Sequence, residues 1–93
     1  MKEGYYLLEE KRSRFIARAS PVASEREAVD FIQSVKSKCR DATHNCYAWL
    51  VEGDALYQRY SDDGEPQGTA GLPILDVIRK RELANVAVVV TRY

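Results

Sequence analysis

The sequence predicts an α+β protein: a mostly antiparallel sheet of four or five strands with two helices packed on one face. Two observations carry that expectation. Two regions alternate side chains with the two-residue period of strands, while two others place apolar residues at the spacing of a helix. The resulting order, ββαββαβ, is not the strict alternation of strand and helix that builds a parallel sheet.

Residues 5–22 read as a β-hairpin or two short strands hinged near Lys11-Arg12. In the second arm Phe15, Ala17 and Ala19 alternate with Arg14, Ile16 and Arg18, so Arg14 and Arg18 share a face. Ser24-Glu25-Arg26-Glu27 has the form of a capping box, with the Ser24 hydroxyl accepting from the Glu27 amide and the Glu27 carboxylate reaching back to the Ser24 amide. A helix follows, carrying Ala28, Phe31, Ile32, Val35 and Cys39 along one stripe. Residues 45–52 alternate again, with Cys46, Ala48 and Leu50 opposite Tyr47, Trp49 and Val51. Gly53-Asp54 suits a two-residue hairpin turn, and residues 55–61 return as the partner strand.

The texture then changes. Ser61-Asp62-Asp63-Gly64-Glu65-Pro66-Gln67-Gly68-Thr69-Ala70-Gly71 holds three glycines, a proline and three carboxylates, the composition of a loop. A second helix starts between Thr69 and Leu72, seats Pro73 in its first turn, and turns Ile74, Leu75 and Ile78 inward; Arg79-Lys80-Arg81 favour its carboxyl end. Asn85 breaks it, and residues 86–91 form an apolar strand of the kind found mid-sheet.

At 93 residues, 45% hydrophobic and 30% charged, the chain is one domain's worth of globular protein, too apolar for intrinsic disorder. Its 14 basic and 14 acidic residues balance, so any electrostatic recognition must come from a local patch. The apolar runs, residues 46–51 and 86–90, are far short of the roughly 20 residues a membrane span needs. Met1-Lys2-Glu3-Gly4 leads directly into structured sequence without a signal peptide, and Cys39 and Cys46 read as reduced thiols of a cytoplasmic protein.

Asp62, Asp63 and Glu65 accept hydrogen bonds from loop amides and fix a tight turn, meet a ligand or partner, or, as hard oxygen ligands, chelate a divalent cation, the least favoured of the three. A calcium hand is excluded by spacing: with Gly64 at the sixth loop position, Arg59 and Ala70 stand where carboxylates are required. Cys39, His44 and Cys46 lack the paired spacing of a zinc site, so neither metal nor cofactor is expected. His44, the only histidine, has Asp41 and Cys46 nearby and reads as a hydrogen-bonding residue or as a general base. The glycines match neither a P-loop nor a dinucleotide fingerprint, although the helix start leaves room for an anion. Lys11, Arg12, Arg14 and Arg18, beside Tyr47, Trp49 and Tyr57, have the chemistry of a nucleic-acid surface; equally, the aromatics are core and the arginines a solvated edge.

Four stretches resemble the IMPACT/YigZ family in order and spacing over nearly the whole chain: Lys11-Arg12-Ser13-Arg14-Phe15-Ile16-Ala17, Asp41-Ala42-Thr43-His44-Asn45-Cys46-Tyr47-Ala48, the loop from Ser61 through Gly71-Leu72-Pro73-Ile74-Leu75, and Val88-Val89-Val90-Thr91-Arg92-Tyr93. The resemblance implies a fold like the second domain of ribosomal protein S5 and a background in translation, the eukaryotic relatives binding a partner of the kinase that phosphorylates an initiation factor. It also implies that the domain spanning 1–93 is incomplete at its carboxyl end, where family members continue into a glycine-rich segment and a further helix. Sheet surface left uncovered there is expected to promote self-association.

Together these readings point to a cytoplasmic regulatory binding module contacting a translation-related protein, RNA or the ribosome, with no membrane role. The competing expectation is a hydrolase-type enzyme using His44 with Asp62, Asp63 and Glu65. The partner-binding surface is expected where His44, Asp62, Asp63, Glu65 and Arg92 meet, because the loop leaves the end of one central strand and His44 precedes its hairpin partner.

Overall fold

Apolar, β-branched residues on consecutive positions fit only a strand covered on both faces, and the last strand takes that place at the centre of the sheet. The computed structural model describes residues 4–10 and 13–93, with side chains described from residue 14 onward. Its elements are β1 (Gly4–Glu10), β2 (Ser13–Pro21), α1 (Glu25–Lys38), β3 (His44–Glu52), β4 (Leu56–Ser61), α2 (Gly71–Lys80) and β5 (Val86–Arg92). The sheet order is β1-β2-β5-β3-β4 and every neighbouring pair is antiparallel. The hinge at Lys11-Arg12 lies outside the described residues.

The helices do not share a face. Register pairs Trp49 with Ala87 and Ala48 with Val88, so odd and even positions of β3 and β5 face opposite ways. Ala28, Ile32 and Val35 of α1 pack on Trp49, Val51, Ala87 and Val89. Leu75 and Ile78 of α2 pack on Ala48, Leu50 and Val86. The expectation of both helices on one side fails because β3 and β5 are apolar on both faces, and one layer of helix would leave half of each strand in water. Far from β4, the α2 side of the sheet stays partly open: Phe15, Ala17, Ala19, Val88 and Val90 are half-buried.

Local structure follows the sequence with two adjustments. Ser24 caps α1 by accepting from the Glu27 amide at 3.2 Å, but the Glu27 carboxylate reaches back to the Ala23 amide rather than to that of Ser24. The β3–β4 connection has three residues, Gly53 to Ala55, closed by the Gly53 amide donating to the Ala55 carbonyl at 3.0 Å. The two-residue turn needs positive φ, which Gly53 does not adopt. The chain also makes β4 an edge strand, not a central one.

Candidate functional site

Antiparallel register places Phe15 of β2, Arg92 of β5 and His44 of β3 in one row across the sheet, with Ala17, Val90 and Cys46 in the next. Both rows lie on the α2 side, and residues 62–70 arch over the β3 end of them. Three backbone features hold the arch. The Asp62 carboxylate accepts from the amides of Gly68 (2.9 Å), Ala70 (3.1 Å) and Gly71 (2.7 Å). Asp63 enters the left-handed region at φ 47°, and its carboxylate accepts from the Asn45 amide at 2.6 Å. Gly64, at φ 92°, lies so close to His44 that a Cβ would stand 3.3 Å from the imidazole.

The helix start that left room for an anion is thus filled by the chain's own Asp62, whose charge sits against the first amides of α2. These bonds, the Gly68 amide foremost and that of Gly71 next, hold the Asp62 carboxyl below the usual carboxylate range. The sign follows: a depressed folded-state value adds stability above the unfolded value of about 3.9, lost as pH falls through the folded one. On acidification from pH 5 the amide resonances of Gly68 and Gly71 are expected to lose hydrogen-exchange protection, and Asp62→Asn should show that loss already at pH 7. Unchanged protection in the variant would remove Asp62 from this role.

His44 and Glu65 meet under the arch. A carbonyl oxygen only accepts, so the 2.6 Å contact between His44 Nδ1 and Asp63 O puts the proton on Nδ1. His44 Nε2 faces Glu65 Oε1 at 3.5 Å, and the same oxygen accepts from Arg92 at 2.7 Å. Arg92 lies 5.8 Å over the Phe15 ring. Beside this group opens a cleft of about 420 Å³ lined by Phe15, Cys46, Pro66, Ile74, Val90 and the Glu65–Arg92 pair.

Cys46, on the same face as His44, donates its thiol to the Asp62 carbonyl at 3.1 Å. Burial pushes the thiol up to about 11, and the carboxylates of Glu65, Asp63 and Asp62 push the same way. A thiol held protonated is a poor nucleophile, so Cys46 is expected to resist iodoacetamide at pH 8 until the protein is unfolded by denaturant. Rapid labelling of the native protein would refute that. A raised folded-state value also makes its stabilising contribution complete below the unfolded value of about 8.5 and lost as pH rises toward 11.

The structure therefore brings together all five residues the sequence assigned to this surface, but divides them: Asp62 and Asp63 hold the loop, whereas Glu65 and Arg92 line the cleft. Among the described residues, Arg14 and Arg18 do not form one patch with Tyr47 and Trp49. Arg14 is exposed 5.4 Å over the Tyr93 ring, while Arg18 donates to Thr91 Oγ1 at 3.3 Å and Cys39 Sγ at 3.4 Å. Lys11 and Arg12 lie outside the described residues. Trp49 is buried, and Tyr47 is half-buried beneath Lys36.

Sequence reasoning missed Asn45. Its side chain donates to the Cys39 carbonyl at 3.2 Å and accepts from Thr91 Oγ1 at 2.7 Å, while its amide holds Asp63. One residue thus ties the carboxyl cap of α1 to the arch across the sheet; the signal was a polar side chain at a strand start on the same face as Tyr47, Trp49 and Val51.

A model of the Impact N-terminal domain matches residues 11–93. The chain is 48% identical to the IMPACT family member YvyE of Bacillus subtilis over 83 residues, covering 89% of this chain and 38% of that protein. It is 38% identical to the IMPACT family member YigZ of Escherichia coli over 85 residues, covering 89% and 42%. Among solved structures, a hypothetical protein aligns with TM-score 0.92 at 35% identity over 99% of this chain and 46% of that one. The two-domain translational regulator Yih1 aligns with TM-score 0.80 at 33% identity over 98% and 37%. The chain spans less than half the length of each of these relatives.

Proposed function

Since this chain belongs to the Impact N-terminal domain family, we propose that it is a regulatory binding module of cytoplasmic translation control and that the cleft beneath the 62–70 arch receives a protein partner. The observation that carries this reading is the cleft itself: an apolar wall of Phe15, Val90 and Ile74 with a single charge pair, Glu65–Arg92, at its margin. A partly exposed apolar concavity with few polar groups is the form a partner's anchoring side chain fits. The likeness to a translational regulator supports the setting.

Two features weigh against the hydrolase reading. His44 is oriented by a backbone carbonyl instead of a carboxylate, and the thiol nearest it is held protonated. An RNA surface is disfavoured by the buried Trp49 and by the hydrogen bonds that Arg18 makes within the fold.

Thr69 is exposed on the cleft margin and its hydroxyl donates only to the Pro66 carbonyl, a bond its own amide duplicates, so Thr69→Arg should obstruct the cleft at small cost to the fold. In a full-length protein the substitution is expected to weaken ribosome co-sedimentation or partner capture at least about tenfold, with Tm changed by no more than about 4 °C. Association unchanged by Thr69→Arg but abolished by ribonuclease would replace the protein cleft with an RNA surface.

A further inference from the structure

β4 ends the sheet, and its first five residues, Leu56 to Tyr60, are all exposed, including Leu56 (56%), Tyr57 (37%) and Tyr60 (43%). It contains no proline and no lysine, two devices by which sheets blunt an open edge.

The direction of its backbone groups follows from β3. In an antiparallel ladder successive residues turn their amide and carbonyl to alternate neighbours. The Glu52 amide turns toward β5, where it donates to Asn85 Oδ1, and the Asn45 amide turns the other way, to Asp63 beyond β4. Odd residues of β3 therefore bond to β4. Their partners Tyr57, Arg59 and Ser61 bond to β3, which leaves the amides and carbonyls of Leu56, Gln58 and Tyr60 at the open edge.

We infer that β4 pairs antiparallel with β4 of a second copy of this chain, about a twofold axis through Gln58, to form one continuous sheet. In this register the three outward residues of each strand meet: Leu56 opposite Tyr60 on the α2 side, and Gln58 opposite Gln58. On the other side Tyr57 lies opposite Arg59, placing a guanidinium beside a phenol ring. Arg59 has no hydrogen-bond or ion-pair partner among the described residues. A shift of the axis to Arg59 sets two guanidinium groups opposite one another, and a shift to Tyr57 carries Tyr60 out of the ladder. Complementary side chains, outward backbone groups and absence of like-charge contact thus select one register and make the strand its own complement.

The helices allow the pairing. α2 rests over β3 and β4, and α1 over β3 and β5. With strands about 4.8 Å apart, the two α2 helices would lie roughly 10 Å apart across the axis, an ordinary helix-packing distance. The cleft under the arch opens toward β2, away from this edge.

Light scattering and sedimentation velocity over a concentration series are expected to show a monomer–dimer equilibrium. Gln58→Pro removes an outward amide and no bond to β3, so it should weaken the dimer at least about tenfold with little change in Tm. Gln58→Cys should form an intermolecular disulfide on mild oxidation, since a hydrogen-bonded cross-strand pair sets the Cα atoms about 5.5 Å apart, and Tyr57→Cys should do so far less. A monomer at every concentration overturns the inference. So does a dimer that survives Gln58→Pro, or one in which position 58 cross-links no better than 57; the cross-linking comparison decides the matter should the proline variant fail to fold.

Discussion

Gly71→Ala is expected to lower stability by about 3 kcal/mol or more and Tm by about 12 °C or more. A Cβ at this position would stand 2.5 Å from the Ser61 oxygen, 2.7 Å from its carbonyl carbon and 2.8 Å from its nitrogen. All three are backbone atoms at the end of β4, so no side chain can swing aside. Nor can the helix retreat, because the Gly71 amide is bonded to Asp62 at 2.7 Å and Leu75, one turn on, is set in the core. Glycine is required here for close approach, not for its backbone angle, since positive φ among the glycines is confined to Gly64 and Gly68. A thermal melt of Gly71→Ala within about 3 °C of the parent would mean that the start of α2 is free to shift.

Asn45→Ala is expected to cost about 2 kcal/mol, read from urea or thermal unfolding. The substitution leaves the wholly buried Thr91 hydroxyl, which still accepts from Arg18, without an acceptor for its own proton, and takes one of two donors from the Cys39 carbonyl, which keeps the Ala42 amide. An unpaired buried polar group costs about 1–3 kcal/mol, whereas removing both members of a pair costs much less. Asn45→Ala combined with Thr91→Val should therefore be less destabilised than the sum of the two single variants by at least about 0.5 kcal/mol. Strict additivity would show that the two side chains do not act as a pair.

These two positions mark where reading the sequence succeeds and where it stops. Both helices, the β3–β4 hairpin and the central strand are legible because their signals are local: a capping Ser24, a stripe of Ala28, Ile32 and Val35, an unbroken valine run. The meeting of His44 with the 62–70 loop is legible too, since antiparallel pairing brings the open ends of a hairpin together. What is not legible is which face each helix covers. That depends on right- or left-sided crossings between elements far apart in sequence, and the double-sided apolarity of β3 carries the information only once β5 is known to lie beside it. The division of labour among Asp62, Asp63 and Glu65 was hidden for a related reason: composition marks three carboxylates alike, and only the path of the loop decides which of them meets amides and which meets Arg92.

The position of β5 has a kinetic consequence. Neither strand of the β1–β2 hairpin pairs with a strand of the β3–β4 hairpin; β5 alone joins them, pairing with β2 across about 70 residues of chain, as in Arg18 with Val89. Ladders closed over such separations form slowly, because the entropy of ordering the intervening chain is lost before the contacts compensate. During synthesis the two hairpins must therefore wait as separate pieces, with Trp49, Leu50 and Val51 covered on at most one side, until residues 86–92 arrive. Changes within β5 should accordingly slow folding more than they speed unfolding, and the interval before its arrival is when the chain most needs protection from aggregation.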